Sequence, residues 1–91
     1  MRNYWIKNSR FTIKNTGNVP ISLKYGTKNN GTFENQISLE INAEKEFSID
    51  NVMGSLFFEF DGSNTMTNDK RIQLGNNGKG YLNVLRIPEQ W

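Results

Sequence analysis

The sequence predicts an all-β fold, a small antiparallel β-sandwich or barrel of about six to eight short strands. Three observations predict it. Apolar and polar residues alternate in short runs, which is the period of a half-buried strand. Turns rich in Gly and Asn separate these runs. No stretch has a helical period. Residues 39–47 contain helix-forming side chains, but this stretch is short and its apolar residues continue an alternating run.

The alternating runs follow one another along the whole chain. They cover residues 10–15, 19–25, 37–41, 46–52, 55–60, 70–74 and 80–87. The intervening turns are predicted at residues 15–18, 27–32, 50–54, 61–69 and 75–80. Pro20, near the start of the second run, lacks a backbone N–H and predicts an edge strand or a bulge.

The length and composition limit what the chain can do. Its 91 residues suffice for a single domain, 1–91, with a small core. It contains neither Cys nor His, so the nucleophilic thiol, the usual proton shuttle and the commonest metal ligand are missing. We expect no enzymatic activity, no catalytic residues and no cofactor.

Charge is distributed unevenly, although the net charge is only +2. Residues 1–33 contain six basic residues and no acid, whereas residues 34–61 contain seven acids and one lysine. One interpretation is that basic and acidic strands pair within one sheet. The other is a dipolar surface that attracts further copies of the chain head to tail, or a charged partner.

Two carboxylate pairs and one polar loop have the residue types of catalytic or metal sites. Glu44 with Glu46, and Glu59 with Asp61, are spaced as neighbours on one strand face, where solvated acids are the favoured interpretation. The stretch 61–69 carries oxygen ligands of the kind that Ca²⁺ prefers, without an EF-hand pattern. We predict a mobile polar loop there and assign no metal-binding residues. The sequence alone does not decide whether the loop binds Ca²⁺. The glycines of residues 75–80 predict a hairpin turn.

Aromatic and basic residues supply the candidate contact surface. The aromatic candidates are Trp5, Phe57 and Trp91, because each falls near a terminus or on an apparently polar strand face, and aromatics are enriched at interface centres. The basic candidates are Arg2, Lys7 and Arg10, which are interleaved with Tyr4 and Trp5. Such a patch also suits single-stranded nucleic acid, although the acidic middle third opposes phosphate.

A family resemblance adds to this interpretation. The stretch "FTIKNTGNVPISL" resembles the start of small β-sandwich virion accessory proteins of tailed bacteriophages. The matching positions are Asn15, Thr16, Gly17, Pro20, Ile21, Leu39, Glu44, Phe47, Ile49, Gly54, Ser55, Leu56, Phe57 and the closing "YLNVLRI". The chain departs from the pattern at "INAEKE", where that family often has "L-x-P-G-E". The resemblance implies a capsid decoration, head-fibre or tail appendage role, and no catalytic residues.

The sequence therefore predicts a non-enzymatic module that contacts itself as a homo-oligomer, another virion protein, or both. A small phage-encoded inhibitor of a host protein is the alternative, and a single-strand nucleic-acid binder or a carbohydrate-binding module are weaker ones. No signal peptide or membrane span is apparent in the sequence. We expect no membrane partner and a location in the virion or the host cytoplasm.

Overall fold

A computed structural model describes residues 2–49, 54–67 and 70–87, without the side chains of 63–67, 76 and 77. Every regular element in these ranges is a β-strand, which confirms the predicted all-β class. The seven strands are β1 (Arg2–Ile6), β2 (Arg10–Asn15), β3 (Ile21–Gly26), β4 (Asn35–Leu39), β5 (Glu44–Ser48), β6 (Ser55–Thr67) and β7 (Arg71–Arg86).

The strands form two layers that share the long β6–β7 hairpin. Residues 55–61 of β6 pair with 79–85 of β7, and residues 63–67 of β6 pair with 72–75. Bulges between Asp61 and Ser63 and between Asn64 and Met66 separate these halves. The first half extends into a sheet ordered β4-β3-β6-β7-β1, here called the first sheet. The other half continues as β6-β7-β2-β5, the second sheet.

Two of the strand pairings differ from the antiparallel pattern that the sequence predicts. β1 and β2 both run parallel to β7, with Tyr4 beside Val84 and Ile13 beside Ile72. The alternation of a strand does not specify its direction, because parallel and antiparallel strands share the same two-residue period. Each of these pairings joins strands that are far apart in sequence, and both lie on the side of β7 away from β6.

The predictions of a loop at 61–69 and a turn at 75–80 were wrong for the described residues. Residues 61–67 belong to β6, and residues 75–80 lie inside β7. The glycines bend long strands here instead of separating short ones. Gly62 has a φ of 154°, and a Cβ added to it would collide with the carbonyl oxygen of Gly75. A Cβ on Gly80 would lie 2.5 Å from the ring of Phe60.

The core lies between the two sheets. Phe11 on β2 stacks on Phe47 of β5 with ring centroids 5.6 Å apart. Phe58 of the first sheet meets both rings edge-on, at 6.0 Å from Phe11 and 5.2 Å from Phe47, and Tyr25 of β3 meets Phe47 at 5.0 Å. The sheets are therefore held by aromatic contacts. The other buried apolar residues of this core are Ile6, Ile13, Ile21, Leu23, Leu39, Ile49, Leu56, Phe60, Ile72, Leu74, Leu82 and Val84.

Asn15 explains the "NTGN" segment. Its side chain is fully buried, and every polar group on it is paired. Nδ2 donates to the carbonyls of Val19 (2.9 Å) and Leu39 (3.0 Å), and Oδ1 accepts from the N–H of Gly17 (2.8 Å). One amide therefore ties the end of β2 to the following turn and to β4, as buried polar groups require.

Pro20 does not mark an edge strand. β3 begins at Ile21 and lies between β4 and β6. Pro20 precedes the strand, so its missing N–H removes no bond from the sheet.

Candidate interaction surface

The opposed charges of the sequence pair within the sheets. Lys14 on β2 lies opposite Glu44 on β5, and Glu44 forms an ion pair with Arg71 of β7 at 3.3 Å. In the first sheet, Glu59 lies between Lys24 at 3.8 Å and Lys79 at 3.9 Å. The interpretation of cross-strand pairing is confirmed for these residues.

The carboxylate pairs lie on surfaces without a deep cleft. Glu44 and Glu46 are exposed on β5. Glu59 and Asp61 share the outer face of β6, beside a polar pocket of about 190 Å³ that Lys24 and Lys79 also line. Among the described residues, no group of three or more acidic side chains is placed to hold a metal ion. The Ca²⁺ candidate at 61–69 falls mostly on side chains that lie outside the described residues.

Trp5 faces outward from the first sheet. Its neighbour Ile6 is buried and Tyr4 packs on the core, so Trp5 is on the opposite face, where it is 54% exposed. The register places it beside Leu85 of β7. Tyr81, 43% exposed, lies on the same face of β7, two positions before Asn83. Asn3, Trp5, Tyr81, Asn83 and Leu85 form what we call the β1–β7 strip.

Polar contact within the strip comes from its two asparagines. Nδ2 of Asn83 donates to Oδ1 of Asn3 over 3.3 Å. Oδ1 of Asn83 is buried and has no hydrogen-bond partner within the described part of the chain. The bond to Asn83 therefore holds the side chain of Asn3, two positions before Trp5, against β7.

The other two aromatic candidates are placed differently. Phe57 follows the outward alternation of β6, opposite Asn83 and Gly26, but only 8% of it is exposed. Phe57 therefore offers little surface to a partner. Trp91 lies outside the described residues.

The basic candidates separate into two groups. Arg2 begins β1 and Lys7 follows it, both exposed, and exposed Arg86 ends β7 beside Ile6. Residues 2–10 and 80–87 contain no acid, so the β1 edge of the first sheet is positive. Arg10 instead begins β2 in the second sheet, opposite Ser48. It lines a pocket of about 380 Å³ whose walls include Lys70 and Glu46.

The backbone at the outer edge of β1 is open. Strand residues direct their N–H and C=O to one side, and the side alternates along the chain. The carbonyl of Ile6 accepts from the N–H of Ile87 over 2.6 Å, so Ile6, Tyr4 and Arg2 face β7. Asn3 and Trp5 therefore direct their N–H and C=O away from β7, where no described strand pairs with them.

The same reasoning applies at β4, the opposite edge of the first sheet. The N–H of Arg86 bonds to the carbonyl of Gly54 over 2.9 Å. The bond shows which residues of β6 face β7, and the pairings of β6 with β3 and of β3 with β4 then show which residues of β4 face β3. By this alternation, the N–H and C=O of Gln36 and Ser38 point outward. Within the described ranges, the first sheet thus ends in two open edges.

Sequence reasoning found Trp5 and the basic residues beside it, and missed the rest of the strip. Tyr81 and Leu85 were recognised only as part of an alternating run. The alternation of "YLNVL" does place Leu82 and Val84 on one face, and it therefore places Tyr81 and Leu85 on the other. Which strand lies next to that outer face depends on the parallel β1–β7 pairing, which no local signal predicts.

None of the described residues forms a helix with the length and apolarity needed to cross a membrane. Comparison with known proteins gives no relative: no family model matches the sequence, and neither a curated protein nor a solved structure matches it significantly.

Proposed function

We propose that this protein is a non-enzymatic structural or interaction module that works through protein–protein contacts at the β1–β7 strip. The observation that carries the proposal is the exposure of Trp5 and Tyr81 on one sheet face next to an open strand edge. Large aromatic side chains with a polar rim are typical of interface centres. An open edge adds backbone groups that a partner strand can pair with.

The positive charge around the strip indicates the kind of partner. Arg2, Lys7 and Arg86 surround it without a neighbouring acid in their segments. Such a surface favours encounter with an acidic protein surface and disfavours a basic one. Elsewhere on the described surface, Glu44 and Glu59 pair with basic side chains, so positive and negative charges lie side by side there.

A virion accessory role is the specific form of this proposal. Its support is the resemblance of "FTIKNTGNVPISL" and the later matching positions to small β-sandwich proteins of tailed phages. Mass spectrometry of particles, purified from cultures in which the gene is expressed, tests it. We expect the chain to be present in stoichiometric amount with the particle's structural proteins. Its absence from particles, together with capture of a host protein that requires Trp5, would support the inhibitor alternative instead.

Single-stranded nucleic acid is a second candidate, favoured by the combination of Trp5 and Tyr81 with acid-free basic segments. Aromatic side chains stack on bases while cations bind the backbone. Titration with short oligonucleotides at low salt would quench tryptophan fluorescence if this candidate were right, and a Trp5→Phe variant would lose most of that quenching. An unchanged signal eliminates it and leaves the protein-contact proposal standing.

A further inference from the structure

We propose that β1 of one copy pairs antiparallel with β4 of a second copy, so that the first sheet continues head to tail from molecule to molecule. The inference rests on the proposed function, because it names the partner in one of its protein contacts. It follows from three properties of the two open edges: which backbone groups point outward, which side chains share a face, and which charges flank each strand.

The strand directions are compatible. In the first sheet β3 runs antiparallel to β4, β6 to β3 and β7 to β6, whereas β1 is parallel to β7. β1 therefore runs opposite to β4. A second copy placed beside the first in the same orientation brings its β4 antiparallel to β1, without turning the sheet over.

The free backbone groups then match in one register. Asn3 and Trp5 present the open N–H and C=O groups of β1, and Gln36 and Ser38 present those of β4. Pairing Asn3 with Ser38 of the second copy sets Trp5 opposite Gln36, so that both pairs exchange hydrogen bonds in both directions. All four residues have their side chains on the outer face, as a continuous sheet requires.

The side chains in this register also suit one another. Tyr4 comes opposite Ile37, and both are half-buried residues at the two margins of the hydrophobic core. Trp5 gains the aliphatic part of Gln36 beside it. The contact covers apolar surface that each edge leaves partly open in the single molecule.

The charges at the two edges are opposite. Arg2 and Lys7 flank β1, and Glu34 and Glu40 flank β4. The register brings Lys7 next to Glu34 and Arg2 within one position of Glu40. Glu34 also accepts a hydrogen bond from the N–H of Thr27 at 2.9 Å, which holds one of its carboxylate oxygens beside the end of β3. Pairing β1 with a second β1 would satisfy the same backbone groups but join two basic edges, so charge favours β4.

A head-to-tail contact leaves an unpaired β1 edge at one end and an unpaired β4 edge at the other end of any assembly that has not closed. It therefore produces a closed ring or an open filament, and not a two-fold dimer. Light scattering across a concentration series of the full chain tests this. We expect the mass to rise beyond that of two copies. A mass that stays at one copy up to millimolar concentration, or stops at two, overturns the proposal.

Charge exchange identifies the edges. Lys7→Glu places an acid against Glu34 of the next copy, and Glu34→Lys places a lysine against Lys7. We expect each variant alone to need roughly tenfold higher concentration for association. A mixture of the two restores association, because the acid introduced at position 7 of one variant then meets the lysine introduced at position 34 of the other. Association that is unaffected by either change, or a mixture that behaves like its components, overturns the edge assignment.

A proline tests the backbone pairing independently of charge. Asn3→Pro removes an outward N–H and the side-chain bond from Asn83 but leaves the backbone β1–β7 bonds intact, and we expect it to abolish assembly. Thermal melting of the same sample shows whether the fold persists. If Asn3→Pro unfolds the chain, the charge exchange still decides the question. A monomer in every experiment would overturn the head-to-tail contact but not the proposed function. Contacts with other proteins are tested separately, by mass spectrometry of purified particles.

Discussion

The two segments of β7 that pair with β2 and with β1 differ in how the charges of their strands are compensated. Where β7 meets β2 and β5, bases and acids alternate across strands, and Glu44 is paired with Arg71 at 3.3 Å. Where β7 meets β1, neither segment contains an acid, and Trp5 and Leu85 replace the charges on the outer face. The first region completes its interactions within the molecule. The second leaves aromatic surface, positive charge and an open edge.

This difference shows that strand pairing neutralises part of the charge that is segregated in the sequence, so that unlike charges remain only at particular edges of the sheets. In the acidic block, Glu44 of β5 lies opposite Lys14 and Glu59 of β6 pairs with Lys24, whereas Glu34 and Glu40 lie at the two ends of β4. The residual positive charge belongs to the strand that pairs only with the acid-free end of β7. Function is therefore expected at β1, and substitutions in the two regions have different consequences.

Neighbouring residues of β1 give the largest expected contrast. Ile6→Ala removes a fully buried side chain and lowers the free energy of unfolding by about 2–5 kcal/mol. Trp5→Ala, one position earlier, changes it by only about 0.5–1 kcal/mol because the side chain is exposed. Urea denaturation of both variants measures these values. Equal losses would show that Trp5 is part of the core and not of a contact surface.

Asn15→Ala gives the next largest effect, on the side of β2 and β5. It leaves the carbonyls of Val19 and Leu39 and the N–H of Gly17 without their side-chain partner, and lowers stability by about 2–4 kcal/mol. Asn30→Ala is the matched control, because Oδ1 of Asn30 accepts the same kind of bond from Thr32 at an exposed site. We expect less than about 1 kcal/mol there. Similar losses in the two variants would contradict the structural role of Asn15.

Glu44→Gln gives the smallest effect. The ion pair with Arg71 is exposed on both sides, and such pairs contribute about 0–1 kcal/mol. The same charge removal should leave any association at β1 unchanged. Thermal melting together with light scattering checks both expectations, and reduced association would show that the second sheet also takes part in binding.

The sequence predicted those parts of the fold that depend on local interactions. Alternation predicted β2 and β3 within a residue or two of their bounds, because their inward residues, such as Phe11, Ile13 and Leu23, are fully or nearly fully buried. β1 was missed, since only Tyr4 and Ile6 of its short span face the core. The glycines at 75–80 were interpreted as a turn because local chemistry does not distinguish a bend inside a strand from a turn between strands.

The candidate surface was predicted only in part, because only some of its features are local in the sequence. Trp5, Arg2 and Lys7 could be identified from residue type and position. Their neighbours Tyr81 and Leu85, and the open edges at β1 and β4, depend on pairings between distant segments. Phe57 has the outward alternation that the sequence indicates, but its burial at 8% exposure is set by neighbouring strands.

Amide hydrogen exchange by NMR at low and high protein concentration tests the central claim most directly. We predict that the N–H groups of Asn3, Trp5, Gln36 and Ser38 gain protection as concentration rises. The N–H groups of Glu44 and Glu46 provide the control, because the bonds of Ala43 and Ile49 to β2 and the segment before it direct them to the outer edge of β5. They should exchange equally fast in both samples. If Glu44 and Glu46 gained as much protection as the four residues of β1 and β4, or if they alone gained protection, the result would contradict the head-to-tail pairing of β1 with β4.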